Sequence, residues 1–442
     1  MAARKHFKQL VRALIQKTGE SYAAARRQVI GQAQHREGEP AAPWHFPGSI
    51  ALTTALRVLL ANAGVRAPHT GAPYSEAMLF GIAGGIGAGV FSFLYEKENF
   101  ASFFLAGRHS WQDDFAYLRQ ACERFDIEPV VNETVSARAA EKALRAALAQ
   151  YGPCIAWVDL THLPYRAMPA EGSGSGYHVI TIYGVDDEQG TALIGDLSDE
   201  PLSISLADLA AARARIKKQK NRLLSIPTSV SSKDLATLVR EGLEACQRGL
   251  VNQRMKNFTL DAFRVWAERM HGSKDKESWE RIFTRGPRLW RGLTSIYIFI
   301  EYYGTGGGLC RPIFADFLTE AAGALDKPAL SALSKRYADL GRGWSELADA
   351  ALPDDVPLFR KAKALYERKA ELTLGAGPPA VEEIRGIWAK LAELECQSAD
   401  QFPLSEAECA ELRANLQPRI MALYQGEVAA HAALEAAIAS YG

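Results

Sequence analysis

Apolar and polar positions follow two different patterns along this chain, and the change comes near residue 227. Between residues 44 and 227, helix-spaced apolar positions alternate with short apolar runs that are typical of buried strands. From residue 228 onward nearly every segment has helical spacing, and glycine and proline separate the segments. No repeat of fixed period is present in the sequence. The pattern predicts an α+β fold followed by an all-helical domain.

The mixed region is predicted to form a sheet with several helices. The predicted helices span residues 50–63, 111–125, 137–151 and 207–215. The predicted strands span residues 129–131, 154–158, 178–185, 192–196 and 222–226, and 101–106 is a further apolar stretch. In the all-helical domain the predicted helices span residues 232–250, 258–271, 276–283, 287–303, 311–325, 328–350, 356–373, 378–397 and 405–440.

The uncharged segment 77–95 has nearly the length of a membrane span. It contains five glycines, which weaken any helix, and it lacks positive charge near its start. We therefore expect a soluble glycine-rich turn region there.

Residues 1–36 read as a small helical appendage. Helical spacing from Phe7 to Leu14 is followed by a break at residues 18–21 and by a second helical segment, 22–33. Two short helices joined by a turn resemble half of a DNA-binding motif. Their face is basic and carries Arg4, Lys5, Lys8, Arg12, Arg26 and Arg27. An appendage that docks on the main body is the favoured interpretation. With residues 34–43 as a linker, the predicted domains are 1–36, 37–227 and 228–442.

Composition narrows the possible functions. Lys and Arg number 51 and Asp and Glu also number 51, so the charge gives no support for binding to nucleic acid or to an anionic membrane. The six cysteines show no CxxC spacing, which indicates free thiols of a cytoplasmic protein and predicts neither a zinc site nor disulfides. The N-terminal residues contain no apolar stretch of the kind that secretory signals require.

His178 and Asp196 form the strongest chemical signal in the sequence. His178 opens the apolar run 178–185, a polar turn follows at 186–190, and Asp196 ends the returning strand. Such a hairpin can hold an imidazole against a carboxylate, which fixes the imidazole tautomer and raises its basicity. Asp186 and Asp187 are rival orienting acids, but their turn position favours exposure to solvent. The alternative is a structural histidine; the glycine-rich loop 172–176 beside it favours a site rim or lid.

A helix N-terminus is expected near Pro47-Gly48-Ser49. Such a terminus lowers the pKa of a thiol and offers backbone N–H groups to an oxyanion. No cysteine lies there, and Ser49 is expected to act as the helix N-cap rather than as a nucleophile.

Two glycine-rich runs are candidate ligand sites. Gly84 and Gly85 belong to a run that fits neither a dinucleotide fingerprint nor a P-loop, and we expect it to let the backbone approach a ligand or the helix at 50–63. The second run separates two helices; its candidate binding residues for a phosphate or carboxylate are Tyr303, Thr305, Gly306 and Arg311. A tight turn between helices is the alternative. Cys154 and Cys310 are available thiols, and no metal site is predicted.

The chain resembles the butirosin biosynthesis protein H family, whose members join a papain-like N-terminal domain to a helical C-terminal domain. The opening motif of the family is similar to H-P-G-x-H-C-x-S/T-T-A-L, and residues 46–56 read FPGSIALTTAL. Further matches follow in order at residues 75–81, 163–165, 177–179 and 304–308. The resemblance covers residues 44–350, and residues 1–36 fall outside it.

The resemblance implies transfer of an acyl group from a carrier-protein thioester to an amine. By position, His178 would be the general base and Asp196 its orienting acid. Ala51 stands where the nucleophilic cysteine is expected, and Ile50 replaces the family's preceding histidine. An alanine forms no covalent intermediate. Three explanations stay open: an engineered Cys→Ala change, transfer without an acyl-enzyme, and an inactive relative retained for binding.

The resemblance therefore leads to three functions. The first is amide formation in natural-product biosynthesis, and the second is a peptidase-like hydrolase or cyclase on the same fold. The third is a non-catalytic carrier-binding or substrate-binding protein. The expected partners are an acyl carrier protein or another thioester donor and a small-molecule or peptide amine. No cofactor is expected beyond phosphopantetheine on the donor, and a homodimer is compatible with the sequence.

Overall fold

The protein has an α+β fold, as the sequence predicts. The computed structural model describes residues 2–18, 22, 25–26, 28–29, 43–174, 176–227, 233–375 and 378–439. The chain forms two compact units, each built from discontinuous segments. The first contains Met1–Leu79, Leu118–Leu238 and Arg368–Trp388; the second contains Phe80–Tyr117, Val239–Glu367 and Ala389–Gly442. The linear division at residues 36 and 227 stays a prediction about domains.

Most of the described helices and strands follow the predicted order. The α-helices are α1 (Ala2–Thr18), α2 (Ala51–Asn62), α3 (Glu76–Ile82), α4 (Asp114–Arg124), α5 (Ala137–Tyr151), α6 (Leu206–Arg215), α7 (Leu235–Val251), α8 (Asp261–Met270), α9 (Trp279–Ile282), α10 (Pro287–Glu301), α11 (Arg311–Leu325), α12 (Pro328–Ala351), α13 (Pro357–Gly375), α14 (Val381–Asp400) and α15 (Glu406–Ala439). The β-strands are β1 (Ile86–Tyr95), β2 (Phe100–Arg108), β3 (Val130–Asn132), β4 (Cys154–Asp159), β5 (Tyr177–Asp186), β6 (Thr191–Gly195), β7 (Leu202–Ser205) and β8 (Leu223–Ser225).

The first unit is organised around a six-stranded antiparallel sheet. Its strand order is β3-β8-β4-β5-β6-β7. Strand β4 is buried along its whole length, because its apolar side chains contribute to a core shared with β5, β6, β7 and α6. Strand β7 was missed in the sequence analysis; it is four residues long and pairs with β6.

A β-bulge interrupts the pairing of β5 with β6. Thr181 pairs with Gly195 on one side of the irregularity, and Gly184 pairs with Leu193 on the other. One extra residue on β5, Tyr183, therefore lies between the two registers. Its hydroxyl lies so close to Gly195 that a side chain there would collide with it.

The bulge decides which face of the sheet Asp196 occupies. Continued past Gly195, the register sets Asp196 opposite Ile180. Directly opposed residues share a face, and so do residues two apart on one strand, so Asp196 lies on the face of His178. Without the extra residue, Asp196 would oppose Thr181 and lie on the opposite face.

The second unit is mainly helical and contains the β1–β2 hairpin. Its core is rich in aromatic side chains, and Phe103 of β2 contacts both Trp266 and Trp279. The predicted glycine-rich turn region at 77–95 is largely wrong. It contains helix α3 and strand β1, and only Gly84 and Gly85 form a turn with positive φ. Gly87 is needed because β2 passes too close for a side chain.

None of the described helices is long and apolar enough to cross a membrane. The six cysteines are all free, as expected. In the N-terminal segment, Val11, Tyr22, Ala25 and Val29 form a buried cluster. Most of the second predicted helix, 22–33, and nearly all of the predicted linker, 34–43, lie outside the described residues.

Candidate active site

The carboxylate of Asp196 is the centre of a hydrogen-bonded cluster on the six-stranded sheet. His178 Nε2 lies 2.9 Å from Asp196 Oδ1, which also accepts from the backbone N–H of Leu197. The other oxygen, Oδ2, accepts from the Tyr165 hydroxyl at 2.9 Å and from the Arg166 guanidinium. Both oxygens are therefore satisfied, as a buried carboxylate requires.

This arrangement keeps the cluster charged. Burial by itself would raise the pKa of Asp196, but the charges of Arg166 and His178 and their hydrogen bonds hold that pKa well below its ordinary value. Burial opposes the charge of Arg166 as well, yet Asp196 keeps the pKa of the guanidinium above its ordinary value. The Tyr165 pKa is raised, first by burial and then by Asp196, so this hydroxyl stays a donor.

The cluster reaches the protein surface at His178 and Arg166. The His178 side chain is 12% exposed and that of Arg166 is 14% exposed, whereas Asp196 is 1% exposed. Because Asp196 holds Nε2, the neutral imidazole carries its proton there and leaves Nδ1 as the basic nitrogen. The geometry suits a general base that takes a proton at Nδ1.

The N-terminus of α2 lies beside this cluster in the same unit. Helix α2 contacts strand β5. The backbone N–H of Gly48, in the turn before α2, points to the Leu197 carbonyl at 3.4 Å, and Leu197 directly follows Asp196. The predicted nucleophile position, Ala51, is the first residue of α2 and is half-buried.

Glu76 caps this helix from a distant part of the chain. Its carboxylate accepts the backbone N–H groups of Ser49 and Ile50 and the hydroxyl of Thr54, with Oε1 distances of 2.8–2.9 Å. The prediction that Ser49 is the N-cap is wrong: Ile50 occupies that position and has no capping side chain. Glu76 caps the helix instead, because its buried carboxylate lies at the helix start and accepts the backbone N–H groups there.

Among the described residues no group accepts from the Ala51 N–H. This donor could bind an oxyanion formed near the start of α2. The negative charge of Glu76 offsets the positive end of the helix dipole, so the helix alone would do little to ionise a thiol at position 51. A thiolate there would depend mainly on His178.

The segment before α2 is also tied to the sheet. His45 Nδ1 lies 2.7 Å from the hydroxyl of Tyr183, the bulged residue, and Nε2 lies 3.1 Å from the Ser198 carbonyl. Burial lowers the pKa of His45, so this ring is held in its neutral form. Because the helix start, the bulge and the Asp196 strand end are linked, His45 fixes their relative positions.

The glycine-rich loop before His178 is anchored by Asp159 at the end of β4. Asp159 accepts from the backbone N–H of Thr161 at 3.0 Å and from that of Gly174. Arg215 bonds both the hydroxyl and the carbonyl of Ser173. Hydrogen bonds from the ends of β4 and α6 thus hold the loop before it reaches His178.

The rival acids lie where the sequence suggests. Asp187 is 67% exposed and pairs with Arg145, and Asp186 caps the backbone N–H of Gln189 in the turn. Neither orients His178.

The candidate ligand residues of the second unit serve structural roles. Arg311 is fully buried; its guanidinium bonds Glu427 at 2.6 Å and the Leu309 carbonyl at 2.7 Å. Thr305 is buried and bonds the Ile300 carbonyl. Gly306 has a φ of 63°, and Tyr303 is exposed with its ring against Phe299. These contacts favour the alternative of a tight helix–helix turn over a phosphate or carboxylate site.

Protein side chains fill the space beside Gly84 and Gly85. A Cβ on Gly84 would meet the ring of His109 at 2.6 Å, and one on Gly85 would meet Phe314 at 2.5 Å. The expected ligand at this turn therefore has no supporting contact. Burial raises the pKa of Cys154 to about 12, and Cys310 is buried, so neither replaces the missing thiol at position 51.

Several residues of the cluster and of its surroundings were missed in the sequence analysis. Tyr165 and Arg166 lie on a short 3₁₀-helix, Pro164–Arg166, and only the match at 163–165 pointed to it. Lys369 Nζ lies 3.6 Å from the centre of the Trp388 ring, and burial together with the charge of Arg166 lowers its pKa to about 7. Gly184, a lone glycine within a strand, was the one local signal for the bulge.

Comparison with protein families gives two adjacent matches. Residues 51–197 match the N-terminal domain of butirosin biosynthesis protein H. Residues 207–371 match a domain of unknown function (DUF4872). No curated protein matches the chain. The first match begins at the predicted nucleophile position and ends just after Asp196, and the helical region follows it as the resemblance implies. The chain therefore contains the N-terminal domain of the butirosin biosynthesis protein H family, followed by a domain of unknown function.

Proposed function

We propose that this chain is an acyltransferase of papain-like fold that forms an amide from a thioester and an amine. The observation that carries the proposal is the 2.9 Å contact between His178 Nε2 and Asp196 Oδ1, beside the N-terminus of α2. Butirosin is an aminoglycoside antibiotic, and a domain of the family named for its biosynthesis implies a role in antibiotic or natural-product biosynthesis.

With alanine at position 51, the proposed transfer is direct. The acceptor amine attacks the thioester carbonyl carbon while His178 Nδ1 takes the amine proton. The Ala51 N–H binds the resulting oxyanion. The intermediate collapses to the amide, the C–S bond breaks, and the departing thiolate takes the proton from His178. A thioester and an amine thus give an amide and a thiol.

With a cysteine at position 51 the same groups would support a covalent route. The thiolate of that introduced cysteine would displace the donor thiol to give an acyl-enzyme, and the amine would then release the acyl group as the amide. Water in place of the amine would give hydrolysis, which is the peptidase-like alternative.

The proposed donor is an acyl group on the phosphopantetheine arm of a carrier protein, and the proposed acceptor is a small-molecule or peptide amine. No cofactor takes part in either step. The chain would act in the cytoplasm, where such thioesters are made.

A second function, carrier or substrate binding without catalysis, is favoured by one observation. Both residues that the family motif expects at the helix start are replaced, with Ile50 and Ala51 in place of histidine and cysteine. The acylation chemistry is then lost while the fold around it stays intact.

Intact-protein mass spectrometry tests the proposal. The parent protein, with Ala51, and its Ala51→Cys variant are incubated with acyl thioesters of N-acetylcysteamine and with acylated carrier protein. We expect an acyl adduct on Ala51→Cys alone, and its loss in Ala51→Cys/His178→Gln. Amide product from the parent protein, with an added amine, would support direct transfer.

The other outcomes separate the alternatives. Free acid instead of amide would favour the hydrolase. No adduct and no amide, with tight binding of the acylated carrier protein, would replace the acyltransferase by the binding protein. An adduct that survives His178→Gln would contradict the role of the imidazole.

A further inference from the structure

Arg26 is a buried arginine of the N-terminal segment, outside both family matches. It was expected on a basic surface of the segment, and that expectation is wrong: its side chain is 1% exposed. A buried guanidinium is retained only where acceptors satisfy it, so its partners reveal what it does.

Its two terminal nitrogens join two separate parts of the candidate site. Nη1 donates to the Gly48 carbonyl at 2.6 Å, and Nη2 donates to the Leu197 carbonyl at 2.7 Å. Nη2 also lies 2.9 Å from Asp199 Oδ1, which balances the charge.

Each carbonyl lies next to a proposed functional residue. Gly48 is three residues before Ala51, and Leu197 directly follows Asp196, whose carboxylate also accepts the Leu197 N–H. The direct bond between Gly48 and Leu197 is long, at 3.4 Å. The planar guanidinium therefore fixes the spacing between the start of α2 and the His178–Asp196 pair more firmly than the backbone does.

The N-terminal segment is held in place by other contacts as well. Leu374 packs against the cluster that contains Val11, Ala25 and Val29. Arg12 on α1 bonds Glu371 at 2.8 Å. A substitution at Arg26 can therefore change the spacing at the site while the segment stays docked.

We propose that Arg26 is a positioning residue that sets the distance between position 51 and the His178–Asp196 pair, which makes the N-terminal segment part of the site. This inference rests on the location of the site in the proposed function, but not on acyl transfer itself.

Thiol ionisation at position 51 provides the test. In the full-length Ala51→Cys variant, the rate of alkylation by iodoacetamide is measured against pH, and the modified residue is identified by peptide mapping. A thiol aligned with His178 has a lowered pKa and reacts at neutral pH; an ordinary thiol reacts mainly above its pKa of about 8.5. We expect Arg26→Met to shift the profile to higher pH and to slow alkylation at pH 7 about tenfold.

Two further variants separate positioning from folding. Arg26→Lys keeps the charge and the aliphatic stem but loses the fork, so it should fold and still show the shifted profile. Arg12→Met, on the same segment and 61% exposed, should leave the profile unchanged.

If a folded Arg26→Lys protein shows the same alkylation profile against pH as the Ala51→Cys parent, the proposal is overturned. So would an ordinary thiol profile in Ala51→Cys that is insensitive to His178→Gln, because no alignment would then exist for Arg26 to maintain. Failure of the acyl adduct to form, with the lowered thiol pKa intact, would count against acyl transfer alone and leave the role of Arg26 supported.

Discussion

Each unit of this protein contains a buried carboxylate bonded to an arginine and to an aromatic donor. In the first unit Asp196 accepts from Arg166 and from the Tyr165 hydroxyl at 2.9 Å. In the second unit Glu427 accepts from Arg311 at 2.6 Å and from the Trp344 indole N–H at 2.8 Å. By partner type the two clusters are nearly alike.

They differ in how they reach solvent and in what the second oxygen does. Arg311 and Glu427 are both 0% exposed, and Glu427 Oε2 and Arg311 Nη2 have no partner among the described residues. Both oxygens of Asp196 are bonded, and one holds an imidazole that reaches the surface. A buried ion pair is therefore no sign of a reactive site; a titratable base at the surface is the distinguishing feature.

The largest expected effect is on the stability of the fully buried pair. Glu427→Gln leaves the Arg311 charge uncompensated and should lower the free energy of unfolding by about 3–5 kcal/mol. Urea unfolding followed by tryptophan fluorescence measures it. Glu435→Gln, at an exposed position of the same helix α15, should change it by less than about 0.5 kcal/mol. Equal effects of the two substitutions would show that the buried ion pair contributes no more to stability than an exposed glutamate.

Substitution in the Asp196 cluster should lower the reactivity of the site. In the Ala51→Cys background, Asp196→Asn removes the charge that orients and stabilises the His178 imidazolium, and the rate of acyl-adduct formation should fall about 100-fold. The rate is read from intact mass against time. Asp187→Asn, the exposed turn acid, is the matched control and should stay within about twofold. A similar loss in both variants would mean that Asp196 is not the orienting acid.

The smallest expected effect is a pH dependence of stability specific to the first unit. The lowered pKa of Asp196 means that the unfolded chain takes up this proton at a higher pH than the folded chain does. Its stabilisation is complete above the unfolded pKa of 3.8 and is lost as the pH falls below it. The lowered pKa of His45 gives an earlier loss of stability, starting as the pH falls through 6.5.

Urea midpoints from pH 8 to pH 3 separate these two contributions. Relative to the parent protein, His45→Gln should flatten the decline in stability that begins near pH 6.5. Asp196→Asn should flatten the decline below pH 4, which follows from the unfolded pKa of 3.8. If the urea midpoints of all three proteins change with pH in parallel, neither group contributes to the pH dependence of stability as described.

Local pattern predicted most helices and strands because those elements depend on neighbours in sequence. Helix α5 was predicted with its observed bounds, 137–151, since its apolar positions recur at helical spacing and Ser136 caps it. Strand β1 was missed because its glycines obscured the strand pattern, and only the pairing with β2 explains them. Strand β7 was too short to stand out.

The site was predicted in part for the same reason. His178 and Asp196 could be placed on adjacent strands because a short polar turn joins the two segments. The bond between Arg311 and Glu427 could not be predicted, because sequence shows a helix start but not the direction of a side chain, and Glu427 lies far along the chain.

The sequence by itself determined the α+β class, the helical region after it, and the histidine and aspartate on neighbouring strands. The tertiary structure alone decided that they share a face, since one extra residue at Tyr183 shifts the register and moves Asp196 to the side of His178. It also decided that Glu76 caps α2 and that Arg26 joins Gly48 to Leu197. Periodicity reports which face of an element is buried; which distant group meets that face depends on packing between residues far apart in the chain.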